Sequence, residues 1–172
     1  MNYRTPIILL FVTCFFTQSF ANVSQREMPF DDNWKFSLQD AKGAEKPSFN
    51  DKTWRSIDLP HDWSIEKLPG QEAGKVIGPF SKESKGTTAT GYTVGGVGWY
   101  RKTFTPAIED SDQIIGLYFE GVYMNSEVFI NGQFVGKYPY GYSPFFYNIT
   151  SYVQFGKPNT IAVRVDNSQQ KN

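Results

Sequence analysis

The sequence contains one cysteine, Cys14, inside an apolar N-terminal run, and one histidine, His61. A chain this poor in thiols cannot be stapled by disulfides, and it cannot build a cysteine-ligated zinc site. Neither sign of charge dominates: 17 basic residues face 17 acidic ones. Without a basic excess there is nothing to neutralise a phosphate backbone, which argues against nucleic-acid partners. No apolar stretch approaches the ~20 residues of a membrane span. No Gly-x-Ser-x-Gly elbow occurs. The glycines of Gly95-Gly96-Val97-Gly98 lack dinucleotide-site spacing and lead into a strand-like segment rather than a helix. No cofactor or metal site is expected.

The N-terminus is a leader by pattern. Arg4 gives it a basic start, residues 6–16 are mostly apolar, and Ser19-Phe20-Ala21 sets small residues at −3 and −1 of a cut after Ala21. Residues 1–21 are therefore expected to be a signal peptide, and the mature chain an exported, periplasmic or extracellular one. Phe11-Val12-Thr13 makes a poor lipobox ahead of Cys14, which argues against a lipid anchor there. Cleavage removes Cys14 and Arg4, leaving 16 basic against 17 acidic residues and no thiol. Stability must then come from one hydrophobic core, which a chain of this size can build by burying roughly two-thirds of its unfolded surface.

What is abundant points to β structure. Aromatic residues make up 17% of the chain, and 15 glycines and 10 prolines punctuate it. Period-2 alternation predicts strands over residues 33–38, 54–59, 99–104, 113–120, 125–130, 133–136, 145–149 and 160–165. In the last of these Ile161, Val163 and Val165 face inward and Ala162 and Arg164 outward. Asn131-Gly132, between two alternating runs, marks a tight hairpin. Residues 67–97 are rich in Gly, Ser, Thr and Lys and read as a long loop. About eight short strands without a repeat predict an all-β, antiparallel β-sandwich of jelly-roll type over residues 22–172.

Several residues invite a chemical reading. Leu59-Pro60-His61-Asp62-Trp63-Ser64 holds His, Asp and Ser, but neighbours on an extended segment point to opposite sides and cannot form a triad. His61 is expected to be a hydrogen-bonding residue at the surface or an interface, with Trp63 anchoring the turn. Glu109, Asp110 and Asp112 read as a solvated turn, and Glu120 and Glu127 as surface charges paired with Lys or Arg. Tyr138, Tyr140 and Tyr142 share a loop; they either stack on sugar rings or plug the end of the sandwich, and the second is the commoner outcome for such rings.

An ordered set of phrases gives the mature chain a family resemblance. These are Phe30-Asp31-Asp32-Asn33-Trp34-Lys35-Phe36, Asp51-Lys52-Thr53-Trp54, Leu59-Pro60-His61-Asp62-Trp63-Ser64 and Gly98-Trp99-Tyr100-Arg101-Lys102-Thr103-Phe104, followed by Phe119-Glu120-Gly121-Val122-Tyr123-Met124-Asn125, Val128-Phe129-Ile130-Asn131-Gly132, Gly136 to Tyr142, and Asn159 to Asn167. Together they resemble the N-terminal sugar-binding domain of family 2 glycoside hydrolases, the β-galactosidase and β-glucuronidase group. The resemblance implies a galactose-binding-domain-like jelly roll, followed in full-length members by an immunoglobulin-like domain and a (β/α)8 barrel carrying two catalytic glutamates. No residue of this chain matches either glutamate, so the implied catalytic set here is empty and the chain alone is expected to be inactive. The implied partners are the missing domains and, through them, a β-linked oligosaccharide or galactoside. The loop after residues 160–165 is implied to touch galactosyl hydroxyls, through Asp166 first and Asn167 second. Relatives continue into one more strand, so the chain reads as a truncated member whose sandwich lacks its last strand. The alternatives are a free-standing carbohydrate-binding module, with the three tyrosines as its platform, and an interaction domain without sugar.

Overall fold

A computed structural model describes residues 26–65, Thr88 and residues 93–168. The expected leader, residues 1–21, and most of the expected loop at 67–97 lie outside the described residues. Among the described residues eight strands form in chain order: β1 Trp34–Ser37, β2 Arg55–Ile57, β3 Val97–Phe104, β4 Gly116–Phe119, β5 Ser126–Ile130, β6 Gln133–Tyr138, β7 Phe145–Asn148 and β8 Asn159–Asp166. Six make one sheet in the order β2-β1-β3-β8-β5-β6, and β4 pairs with β7 in a second. Every pairing is antiparallel. The architecture is the expected all-β antiparallel sandwich of jelly-roll type.

Alternation explains which side chains fill it. Trp34 and Phe36 of β1, Tyr100 of β3, Val128 and Ile130 of β5, and Ile161, Val163 and Val165 of β8 all point between the sheets. Leu117, Phe119 and Tyr147 meet them from the small sheet. Burying each such side chain contributes about 1.5–3 kcal/mol, which is how a chain without disulfides holds together. The β5–β6 hairpin turns at Asn131 and Gly132, with φ of 52° and 81°. Gly132 meets that requirement because it has no Cβ. Asn131 meets it with help from its side chain, whose Nδ2 donates to Tyr152 O and to Asn159 Oδ1.

The outer face of the large sheet differs from expectation. Ala162 and Arg164 do leave the core, but the face they reach is covered. Residues 39–54 fold over it as a strap, and Ala44 and Trp54 of the strap close on Trp99 and Ala162 in a second apolar cluster, with Phe49 and Phe129 at its margin. Ala162 is fully buried there. Arg101, only 3% exposed, pins the strap: its Nε donates to Asp51 Oδ2 at 2.8 Å, and its Nη1 reaches the carbonyls of Ala44 and Lys46. Trp54 belongs to this cluster while Ile57 packs on the main core, so only residues 55–57 of the expected 54–59 strand join the sheet.

Candidate functional site

Four segments converge at one end of the sandwich, around the C-terminus of β8. Asp166 closes that strand opposite Val97, the first residue of β3. Its backbone N–H donates to Met124 O at 3.0 Å, and its carbonyl accepts from Asn125 Nδ2 at 3.0 Å. The backbone N–H of Asn125 in turn reaches Pro139 O at 3.3 Å, tying in the tyrosine loop. Asn167 locks the fourth segment: its Oδ1 accepts from Gly96 N–H at 2.7 Å, and its own N–H donates to Gly96 O at 3.0 Å.

The two sequence-predicted site residues therefore sit side by side in different circumstances. The Asn167 side-chain oxygen is taken by backbone, and the amide Nδ2 remains as its possible ligand contact. The Asp166 carboxylate is partly exposed, at 28%. Its Oδ1 accepts from Ser168 N–H at 3.0 Å and from Ser168 Oγ at 2.6 Å. Its Oδ2 accepts from Arg164 Nη2 at 3.3 Å. Partial burial pulls its pKa up, but the Ser168 hydrogen bonds and the Arg164 charge outweigh that and hold it below the ordinary value. Asp166 is thus a fixed anion at neutral pH, able to accept hydroxyl hydrogens.

Arg164 extends this arrangement along the outer face. Its Nε and Nη2 grip both oxygens of Asp40 on the strap, at 3.1 and 3.0 Å, and Trp99 Nε1 also donates to Asp40 at 3.3 Å. The Arg164 hydrogen bonds lower the Asp40 pKa, against a smaller opposing effect of burial, and Asp40 raises that of Arg164. Asp40, Lys42, Glu45, Trp99, Glu127, Phe129 and Arg164 line an open depression here. This row escaped the sequence reading, which took Arg164 as simply outward. The available signal was Trp99 and Arg101 alternating with core residues on β3, since a tryptophan facing away from one core needs another.

The three loop tyrosines divide. Tyr138 plugs the sandwich end, stacked on Phe145 at 4.3 Å with its hydroxyl 2.8 Å from Ser143 Oγ. Tyr140 leans edge-on against Tyr138 and stays exposed. Tyr142 is 91% exposed, its ring 5.2 Å from that of Tyr123, which adjoins Met124 and so borders the Asp166 site.

His61, Trp63, Glu127 and Asp110 have structural partners. His61 Nδ1 lies 2.8 Å from the Tyr100 hydroxyl, and the ring packs against Phe36 at 4.5 Å. It is a half-buried core-edge residue rather than a surface one. Trp63 is buried, stacks on Phe36 and donates to Val94 O, as the anchor expected. Glu127 pairs with Lys137 at 3.2 Å, and Asp110, in a short 3-10 turn, pairs with Arg26. Among the described residues, no three His, Cys, Asp or Glu side chains gather as metal ligands.

Comparison with known proteins agrees with this fold. Residues 28–171 match the family described as glycosyl hydrolases family 2, sugar binding domain. The chain is 48% identical over 151 residues to Beta-galactosidase BoGH2A of Bacteroides ovatus, covering 87% of this chain and 16% of that protein. It is 30% identical over 141 residues to a Beta-glucuronidase of Formosa agariphila, covering 81% of this chain and 13% of that protein. A solved structure of a glycosyl hydrolase family 2 member from Bacteroides cellulosilyticus superposes with a TM-score of 0.76 at 44% identity, over 83% of this chain and 18% of that one. The chain thus spans less than a fifth of the length of these relatives.

Proposed function

Because this chain belongs to glycosyl hydrolase family 2 through its sugar-binding domain, we propose that it is the non-catalytic, sugar-contacting domain of an exported β-galactosidase-like glycosidase. The observation that carries this reading is the Asp166 carboxylate, fixed at the sandwich rim where four segments meet. An ionised carboxylate there accepts hydrogen bonds from sugar hydroxyls and orients a glycoside presented by a neighbouring domain. Asn167 adds a donor through its amide.

Hydrolysis itself needs a carboxylic acid of raised pKa paired with a second carboxylate across the bond. Asp40 and Asp166, with Arg164 between them, both have lowered pKa values, which is the wrong direction for a proton donor. In this reading the reaction belongs to the barrel of the longer enzyme, and its substrate is a terminal β-linked galactoside or uronide, the classes named in the relatives. Residues 1–21 direct export. The test is an assay of the purified 172-residue chain on aryl β-galactoside and aryl β-glucuronide: no turnover is expected, and turnover abolished by changing one of its acids overturns the reading.

The exposure of Tyr140 and Tyr142 favours a second reading, an independent carbohydrate-binding module with those rings as its platform. Titration of the chain with oligosaccharides discriminates: micromolar binding lost in Tyr142→Ala supports the module, and its absence supports a domain that completes a larger pocket.

A further inference from the structure

Arg164 stands between two carboxylates that play unequal parts. Its Nε and Nη2 make a two-pronged grip on Asp40, a geometry that the planar guanidinium fixes. Trp99 Nε1 also donates to Asp40, at the Oδ1 that accepts from Arg164 Nε. The grip on Asp40 sets the direction in which the guanidinium faces Asp166, whose Oδ2 lies 3.3 Å from Nη2 while Ser168 holds Oδ1.

We propose that Arg164, braced by Asp40, is a positioning residue that fixes the Asp166 carboxylate for sugar binding and leaves Oδ2 as the oxygen that meets the substrate hydroxyl. The proposal rests on the reading of Asp166 given above. The arithmetic of lone pairs supports the choice of oxygen. Each carboxylate oxygen accepts about two hydrogen bonds. Oδ1 already takes two, from the amide and hydroxyl of Ser168, whereas Oδ2 takes one, from Arg164. One acceptor position on Oδ2 remains for a ligand.

A simpler role for Arg164 is to fasten the strap. The strap, however, is fastened separately by Arg101 through Asp51 and the carbonyls of Ala44 and Lys46. The two arginines can thus be separated experimentally. The charged groups around Arg164 are Asp40, Lys42 and Glu45 from the strap, Glu127 from β5, with Lys137 of β6 paired to it, and Asp166 on β8 itself. Of these, Asp40 and Asp166 touch the guanidinium.

The test reads the Asp166 carboxyl by carbon-detected NMR titration in the 172-residue chain. In Arg164→Met its midpoint is expected to rise toward the ordinary carboxylate value, and in Arg164→Lys, which keeps the charge but loses the fork, to rise less. In Asp51→Asn, which leaves Arg101 an acceptor but loosens the ion pair on the strap, it is expected to stay at the wild-type value. An unchanged midpoint in Arg164→Met, or an equal rise in Asp51→Asn, overturns the proposal. In the longer enzyme, Arg164→Met is expected to lower kcat/KM for an aryl β-galactoside roughly ten- to hundredfold. The acid limb of its pH profile should move upward, Arg164→Lys should recover part of the loss, and Asp51→Asn should show none. Wild-type kcat/KM in Arg164→Met overturns the proposal. No effect of Asp166→Asn instead overturns the sugar-contact reading, while the titration still decides what Arg164 does to Asp166.

Discussion

Asn167 and Gly96 exchange two hydrogen bonds: the Asn167 side-chain oxygen accepts the Gly96 N–H at 2.7 Å, and the Asn167 N–H donates to the Gly96 carbonyl at 3.0 Å. This pairing ties the residue after β8 to the segment before β3 and sets where Asp166 ends. It also requires close approach at the preceding residue. A Cβ on Gly95 would stand 2.8 Å from the Asn167 carbonyl oxygen and 3.2 Å from Oδ1. Gly95→Ala is therefore expected to cost about 1–3 kcal/mol, as overpacking against backbone does, and to shift the amide resonances of Asn167 and Ser168. Wild-type melting with unmoved resonances would show that the contact is slack.

Arg101 carries the strap. Its side chain is buried against Asp51, two backbone carbonyls and the Phe49 ring. Arg101→Met leaves those acceptors without their donor, and a buried acceptor left unsatisfied costs about 1–3 kcal/mol. Chemical denaturation should show that loss, and limited proteolysis should open residues 39–54 first. A variant as stable as wild type, with the strap still protected, contradicts the assignment.

The contact between His61 and Tyr100 makes the Leu59–Ser64 stretch structural. Tyr100→Phe removes the hydroxyl that meets His61 Nδ1 and is expected to cost about 1 kcal/mol, the usual worth of one internal hydrogen bond. In the longer enzyme it should leave the pH profile of kcat unmoved. A displaced profile would give His61 a role in proton transfer that this geometry does not support.

Asp40 supplies a pH dependence of known sign. Arg164 lowers its folded-state pKa, so the stabilisation is present above the unfolded value of ~3.9 and is lost as pH falls through the lower folded value. Asp166 has the same sign. Since Asp40 is more than half exposed, the pair is worth less than about 1 kcal/mol. Asp40→Asn should accordingly be slightly less stable than wild type near neutral pH, and the gap should narrow as pH falls below the unfolded value and through the lower folded one. A gap that does not change with pH contradicts the ion pair.

The sandwich was legible because its strands obey period 2, and the Asn131-Gly132 turn left no ambiguity about β5 and β6. Strand ends were less so. Residues 113–120 read as one strand, yet the ladder starts at Gly116, because Ile115 N–H is taken by the Thr150 hydroxyl. What alternation could not show is a second covered face. It says that Trp99, Arg101, Ala162 and Arg164 point the same way, but not that residues 39–54 lie over them. The partner of Arg164, Asp40, is 124 residues away in sequence, and that of His61 is 39 away. Such pairings come from topology, which local pattern does not encode. Asp166 was reachable only through family resemblance, and its environment, with Ser168 and Arg164 dividing its two oxygens, only through the fold.

The most direct test of the central claim is kcat/KM for an aryl β-galactoside in the longer enzyme, with and without Asp166→Asn. If this domain lends its carboxylate to the sugar, the loss of one charge-assisted hydrogen bond should lower kcat/KM on the order of ten- to a hundredfold in a variant that remains folded. Unchanged kcat/KM in a well-folded variant would contradict the account and remove Asp166 from the substrate pocket.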